Sequence, residues 1–432
     1  MTSPSQTKSR EGLAIVAAAL IGAAAVGGGA YWWSVRETSA ETVTSQSSTT
    51  AATAPTTTSR PPESTVSTVT TEPTEGESTT TEQFEEFVDH AVCPSGTPEV
   101  ICDAAAFVET SRGRAFKDFP LVELASDSDF ETRLLSDFDE FAADLEADEA
   151  TLAALGLIPA DSDLAGLFRE LRSVGVVGFY DIETQELVIK GDDLDLYAEL
   201  VIVHELTHAF DDQWFDLDRP ELDDLEDDAA YGVSAVIEGN ASRVVAAWRS
   251  GLSDAEADEL SALEFSLLTP EELRRYFEIP TYILSLQISP YVDGEAFVSS
   301  VFEAGGEDAV DDLFVDPPTT SEQALHFDKF ERREGATEIE LEEPAGEVLD
   351  EGSLGEIVIR EWLGPRAAAG WAGDSYVTWD AGEGERCIKA GFVTDTASDL
   401  DELESALAAW AEENFGRSIA SSDDGVIATA CG

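Results

Sequence analysis

The chain has 432 residues, 43% of them hydrophobic and 9% aromatic, which is enough apolar material for a large buried core. Its formal charge is −66 at neutral pH, and the acids are spread along the chain rather than gathered in a tail. Such a surface repels phosphate backbones and excludes a nucleic-acid partner. It fits a saline setting, where screening relieves the self-repulsion, or simply an acidic proteome.

Residues 12–34 are expected to form a transmembrane signal anchor. The run from Leu13 to Trp33 carries no charge and is about long enough to cross a bilayer. Trp32 and Trp33 lie where an interfacial aromatic anchor is useful. Lys8 and Arg10 precede the run and assign 1–11 to the cytoplasm. The competing reading is a signal peptide cleaved near Gly29 and Ala30, giving a secreted protein. Both readings export the remainder. Residues 35–83 are dominated by Thr and Ser, with almost no large apolar side chains, and are expected to be a disordered linker.

Residues 84–334 are expected to be the folded core and 335–432 a smaller α+β lobe. From 84 to 154 apolar and acidic residues alternate at helical spacing, as in the stretch Phe130 to Leu145. This region reads as the first helices of the fold or as a propeptide-like segment. His90 reads as a surface residue. An oxidising compartment makes disulfides the default for the four cysteines, and Cys93–Cys102 with Cys387–Cys431 is the most economical of three pairings. Two β-rich runs, 174–181 and 186–190, flank a turn and predict a hairpin.

The next segment carries the chemistry. His204-Glu205-Leu206-Thr207-His208 sits in an apolar stretch that can run as a helix to about Phe215. Residues four apart share a helix face, so both imidazoles point to one place, where a single zinc ion would sit. Glu205 is placed to touch water at that ion. The plainer alternative is a buried helix with two hydrogen-bonded histidines. Further on, Tyr231 to Val245 reads as a second helix whose apolar run holds one carboxylate, Glu238. Burying it is costly unless it is paired or binds metal. Two His and one Glu leave a fourth position open, which is the catalytic rather than the structural zinc pattern.

His204-Glu205-x-x-His208 followed by Glu238 on a later helix resembles the gluzincin branch of zinc metallopeptidases, the thermolysin-like architecture. The resemblance covers roughly residues 170–330. It implies a zincin-like α+β domain, mostly helical with a small sheet. It also implies zinc on His204, His208 and Glu238, with Glu205 as general base. The chain departs from the pattern at Ser242, where thermolysin has an Asp. Asp211 and Asp212 are the alternatives for holding a ligand imidazole, unless they form a solvated helix end. In the family a strand beside the cleft pairs with extended substrate, which points to 174–181 or 186–190.

Tyr276, Tyr282 and Tyr291 lie among apolar positions and read as core or rim aromatics. The resemblance also implies a histidine downstream of the third ligand that stabilises the oxyanion. His326 is the only candidate after Glu238; its alternative is a helix C-terminal cap. In the last lobe, 356–363 predicts a helix, 375–380 and 387–394 paired strands, and 398–415 an amphipathic helix. Asn240-Ala-Ser is a formal glycosylation sequon, discounted because it lies inside the ligand helix.

The expected function is a membrane-anchored, extracytoplasmic zinc peptidase acting on peptide or protein substrates. The alternatives are a non-proteolytic zinc-binding surface protein, against which an intact Glu205 speaks, and an amidase acting on cell-wall material. The sequence sets no oligomeric state.

Overall fold

The computed structural model describes residues 90–432, apart from 137, 139–148, 150–151, 160, 174–175, 223–224, 226, 268, 272–273, 275–276, 383–384 and 423–424. It opens with α1 (Glu99–Ser111), β1 (Leu121–Ala125), α2 (Asp127–Leu134), α3 (Leu164–Ser173), β2 (Gly178–Asp181) and β3 (Glu186–Lys190). Four long helices follow, α4 (Leu196–Phe215), α5 (Asp227–Ser250), α6 (Asp254–Ser266) and α7 (Thr281–Val315), and then the short α8 (Ser321–Leu325) and α9 (Phe327–Glu331). The C-terminal part contains β4 (Glu347–Gly352), α10 (Gly355–Leu363), α11 (Pro365–Ala368), β5 (Trp371–Gly382), β6 (Glu385–Thr394), α12 (Ala397–Glu412), β7 (Arg417–Ser422) and β8 (Gly425–Cys431). The α+β part of the expected fold is therefore present, with two small sheets.

The expected membrane-spanning helix is not borne out. No helix among the described residues is long and apolar enough to cross a membrane. The 20-residue α4 carries Glu199, Glu205, Asp211 and Asp212, and the longer α7 carries several acids, so neither suits a hydrocarbon core. Single-pass anchoring in a cell membrane is dropped with it. Residues 12–34 and the linker at 35–83 lie outside the described residues.

The first sheet has the order β1-β3-β2, with β1 parallel and β2 antiparallel to β3. The hairpin falls where the β-rich runs predict it. β1 is a departure from the helical reading of 84–154. Pro120 ends any preceding helix, and the short apolar run behind it pairs residue for residue with β3. Helix α4 lies against this sheet. Asp195 starts it by accepting from the Ala198 N–H at 2.9 Å, and Asp216 ends it in the left-handed region at φ 58°. Fifteen of its residues are buried, so it is a core helix and not an amphipathic surface one. Val201, Ile202, Leu206 and Phe210 pack with Ile101 and Val108 of α1, Leu187 of β3 and Val244 of α5. Each such side chain contributes roughly 1.5–3 kcal/mol, which offsets the cost of burying the polar residues of the same helix.

Helices α5 and α7 cross closely at Gly239 and Gly294. A Cβ on Gly239 would overlap the Gly294 backbone, and one on Gly294 would overlap Ala235. Gly306, at φ 72° and ψ −162°, interrupts α7 and turns Glu307 and Asp311 toward the buried Arg112.

The second sheet has the order β4-β5-β6-β8-β7, antiparallel throughout. Its β5–β6 pair matches the two predicted strands, and Cys387 lies directly opposite Cys431. Both expected disulfides, Cys93–Cys102 and Cys387–Cys431, are present. The core under this sheet contains Trp371, Ile388, Phe392, Leu407 and Trp410, and it continues into Leu155, Phe168 and Ile283. Tyr282 belongs to that core, as predicted; Tyr276 lies outside the described residues.

Candidate metal centre

Helix α4 brings His204 and His208 onto one face, and α5 delivers Glu238 across from them. Glu238 Oε2 lies 3.3 Å from His204 Nε2 and 3.4 Å from His208 Nε2. The two imidazoles meet edge to face, with centroids 4.6 Å apart at 86°. One ligand atom from each of the three residues lies within 4.8 Å of the other two, so this group can hold a metal ion.

The chemistry of these atoms fits such an ion. All three side chains are buried, and neither nitrogen of His208 has a well-formed hydrogen bond. The 3.4 Å approach of His208 to Glu238 is therefore a charge contact rather than a directed hydrogen bond. Bare polar atoms at this depth are rare in folded proteins and call for a partner.

Glu205, on the same helix, is 1% exposed and interacts electrostatically with His208 and Glu238. Its Oε2 accepts from the Tyr180 backbone N–H at 2.9 Å, while Oε1 has no hydrogen-bond partner. One oxygen is thus fixed by the edge strand β2 and the other is left free for chemistry. Burial pushes the Glu205 carboxyl up to about 8, opposed in part by His208. Burial also acts to raise Glu238, but the two imidazoles override it and hold the carboxyl at about 2. For His208 burial lowers the imidazolium and Glu238 more than reverses this, to about 9. For His204 burial wins and the shift is downward.

Asp211 and Asp212 have other partners than the ligand imidazoles. Asp211 accepts from Asn240 at 2.6 Å and from Arg112 at 3.2 Å, tying α4 to α5 and α1. The Asn240 amide is thereby fully buried and occupied. Asp212 accepts from the Tyr180 hydroxyl at 2.8 Å, Gln185 at 3.2 Å and the Leu217 N–H at 2.9 Å. Neither is a solvated helix end. Tyr180 is thus gripped twice by α4, through its N–H and through its hydroxyl, which fixes β2 against the metal centre.

His326 is not a member of the three-residue group. It links α8 to α9, and its Nε2 lies 3.0 Å from Glu356 Oε1 on α10, with the side chain about half exposed. His90 is part-exposed, and its Nδ1 lies 2.7 Å from the buried Glu109. Two features escaped sequence reasoning. The Tyr180 N–H has no sequence signature, because any non-proline residue carries one. Tyr291 resembles its apolar neighbours in the sequence, yet its ring stacks on His204 at 5.9 Å and 23°.

Of the two strands considered for pairing with an extended peptide, β3 is ruled out because β1 and β2 occupy both its edges. Among the described residues β2 has one free edge. Lys190 donates to the Val177 carbonyl, so Gly178 and Tyr180 turn their backbone groups to that free edge.

The chain matches no family model, no curated protein and no solved structure.

Proposed function

We propose that the protein is a zinc-dependent peptidase in which His204, His208 and Glu238 hold the metal and Glu205 is the general base. The observation that carries this reading is the free Glu205 Oε1, buried beside three converging ligand side chains. A purely metal-binding surface protein has no use for a desolvated base at that position. The separations of 3.3 and 3.4 Å among ligand atoms suit zinc, because bonds of about 2.0–2.1 Å in a tetrahedral arrangement put neighbouring ligands about 3.4 Å apart.

When bound, zinc supplies a Lewis acid that polarises a carbonyl and makes water more acidic. The residues of the chain do the rest. Glu205 Oε1 takes the proton from water as its oxygen attacks the peptide carbon, while Oε2 stays fixed on Tyr180. Glu205 then passes that proton to the leaving amine. An extended peptide is received at the free edge of β2, through the backbone groups of Gly178. His326 lies on Glu356 and is given no step.

The test is digestion of a mixed peptide library by the full chain in high salt, with Glu205→Gln as control and zinc content measured in both. Cleavage by the wild type that disappears in a variant with equal zinc supports the assignment. Equal cleavage by the two removes Glu205 as base. No cleavage by either, with one zinc per chain, would favour the non-proteolytic alternative.

A further inference from the structure

The Glu238 carboxylate raises a question of valence. Its Oε2 is the atom that approaches both imidazoles. Once His204 and His208 present nitrogen lone pairs to a metal, they no longer donate hydrogen to Glu238. A carboxylate 3% exposed then needs another donor for its remaining lone pairs. Around this carboxylate stand His204, at hydrogen-bond distance, His208, in charge contact, and the Tyr291 side chain, which interacts with Glu238 from α7. Tyr291 is the only one whose donor survives metal binding.

The fold places Tyr291 there by a specific device. Gly294 is one turn along α7 from Tyr291, and Gly239 directly follows Glu238 on α5. These two glycines meet at the helix crossing, where neither backbone leaves room for a Cβ. The close approach puts the Tyr291 ring over His204 and its hydroxyl within reach of Glu238. The ring is buried in the same apolar surroundings as the ligands, at 7% exposure.

We propose that Tyr291 is a positioning residue for the metal centre: its hydroxyl holds the Glu238 carboxylate so that Oε2 faces the two imidazoles. This rests on the metal-binding reading above but not on peptidase activity. Tyr291 does not itself ligate the metal. Its contribution is to fix the orientation of the one anionic ligand before the metal arrives.

The experiment compares zinc affinity of the full chain with that of Tyr291→Phe, by competition with a chromogenic chelator. Phe keeps the ring stack on His204 and removes only the hydroxyl. The expected loss is about 10- to 100-fold in affinity, the usual range for a partner that orients a ligand. The cobalt-substituted variant should also show a shifted visible spectrum, which a role in packing alone would not produce. Gly294→Ala, which pushes the two helices apart, should lower affinity even though Tyr291 is intact. Unchanged zinc affinity and an unchanged cobalt spectrum in Tyr291→Phe would overturn the proposal and leave the metal centre standing. A wild-type chain that takes up neither zinc nor cobalt would overturn both.

Discussion

Asp374, at the base of the C-terminal sheet, is as deeply buried as the carboxylates of the metal centre, at 4% exposure. It accepts from the Leu354 N–H at 2.7 Å, the Gly355 N–H at 2.9 Å, Trp371 Nε1 at 2.9 Å and the Ser353 hydroxyl at 3.1 Å. Four donors complete it, and it pins α10 to β5. Glu205, on α4, has one donor and one bare oxygen. Both acids are desolvated, and both are shifted upward by burial. What separates them is saturation. An acid with all its lone pairs engaged builds the fold, while an acid left short retains the capacity to react.

If that contrast is right, the two halves should fail in different ways. The largest effect is expected from Glu238→Ala. It removes the only anionic ligand, and zinc affinity should fall about 1,000-fold or more, beyond the range of an orienting partner. The metal-free protein should keep its fold, as followed by circular dichroism, because two neutral imidazoles are cheaper to bury than an ion pair with nothing between. Zinc affinity within a few-fold of wild type would remove Glu238 from the ligand set and with it the contrast. Asp374→Ala should do the reverse. It strands two backbone N–H groups and an indole N–H, at a cost of about 3 kcal/mol in unfolding free energy, while chelator competition reports an unchanged zinc affinity. A loss of zinc in that variant would show that the two halves are one cooperative unit around the metal.

The same distinction explains what was legible beforehand. His204, Glu205 and His208 are readable because a helix turns sequence spacing into geometry without help from the rest of the chain. Glu238 is readable because a lone acid in an apolar run contradicts its surroundings. The β5–β6 pair and α12 are readable from local pattern, and Cys387 and Cys431 do lie across from each other. Tyr291 is not readable, since its role depends on where two glycines let α5 and α7 touch. The partners of Asp211 are equally hidden, because Arg112 and Asn240 arrive from two other helices. β1 is not legible, because its five residues suit either period and its pairing with β3 is long-range. The strands β7 and β8, rich in Ser and Ala, carry little hydrophobic signal; β8 forms on the edge that β6 offers, and β7 on β8.

The smallest predicted effect is one of pH, and it separates the metal-free from the loaded centre. In the metal-free protein the His208 imidazolium is held up to about 9 by Glu238, against burial. Its unfolded counterpart titrates near the ordinary value of about 6.5. A group raised in the folded state stabilises fully below its unfolded value and loses that contribution as pH climbs through the folded one. The metal-free protein should therefore lose stability between about pH 6.5 and 9. Metal uptake runs the other way, because the proton on His208 must leave before the nitrogen can ligate. Over the same window apparent zinc affinity should rise about tenfold per pH unit, with about one proton released per ion bound. Melting curves at pH 6.5 and 8.5, with and without chelator, read both trends at once. The chelated protein should melt lower at the higher pH and the loaded protein should not. Parallel shifts in the two samples would mean that the charge on His208 is set by something other than its contact with Glu238. In that case the contact of His208 with Glu238 would lose its standing as the feature that distinguishes this part of the molecule from the saturated site around Asp374.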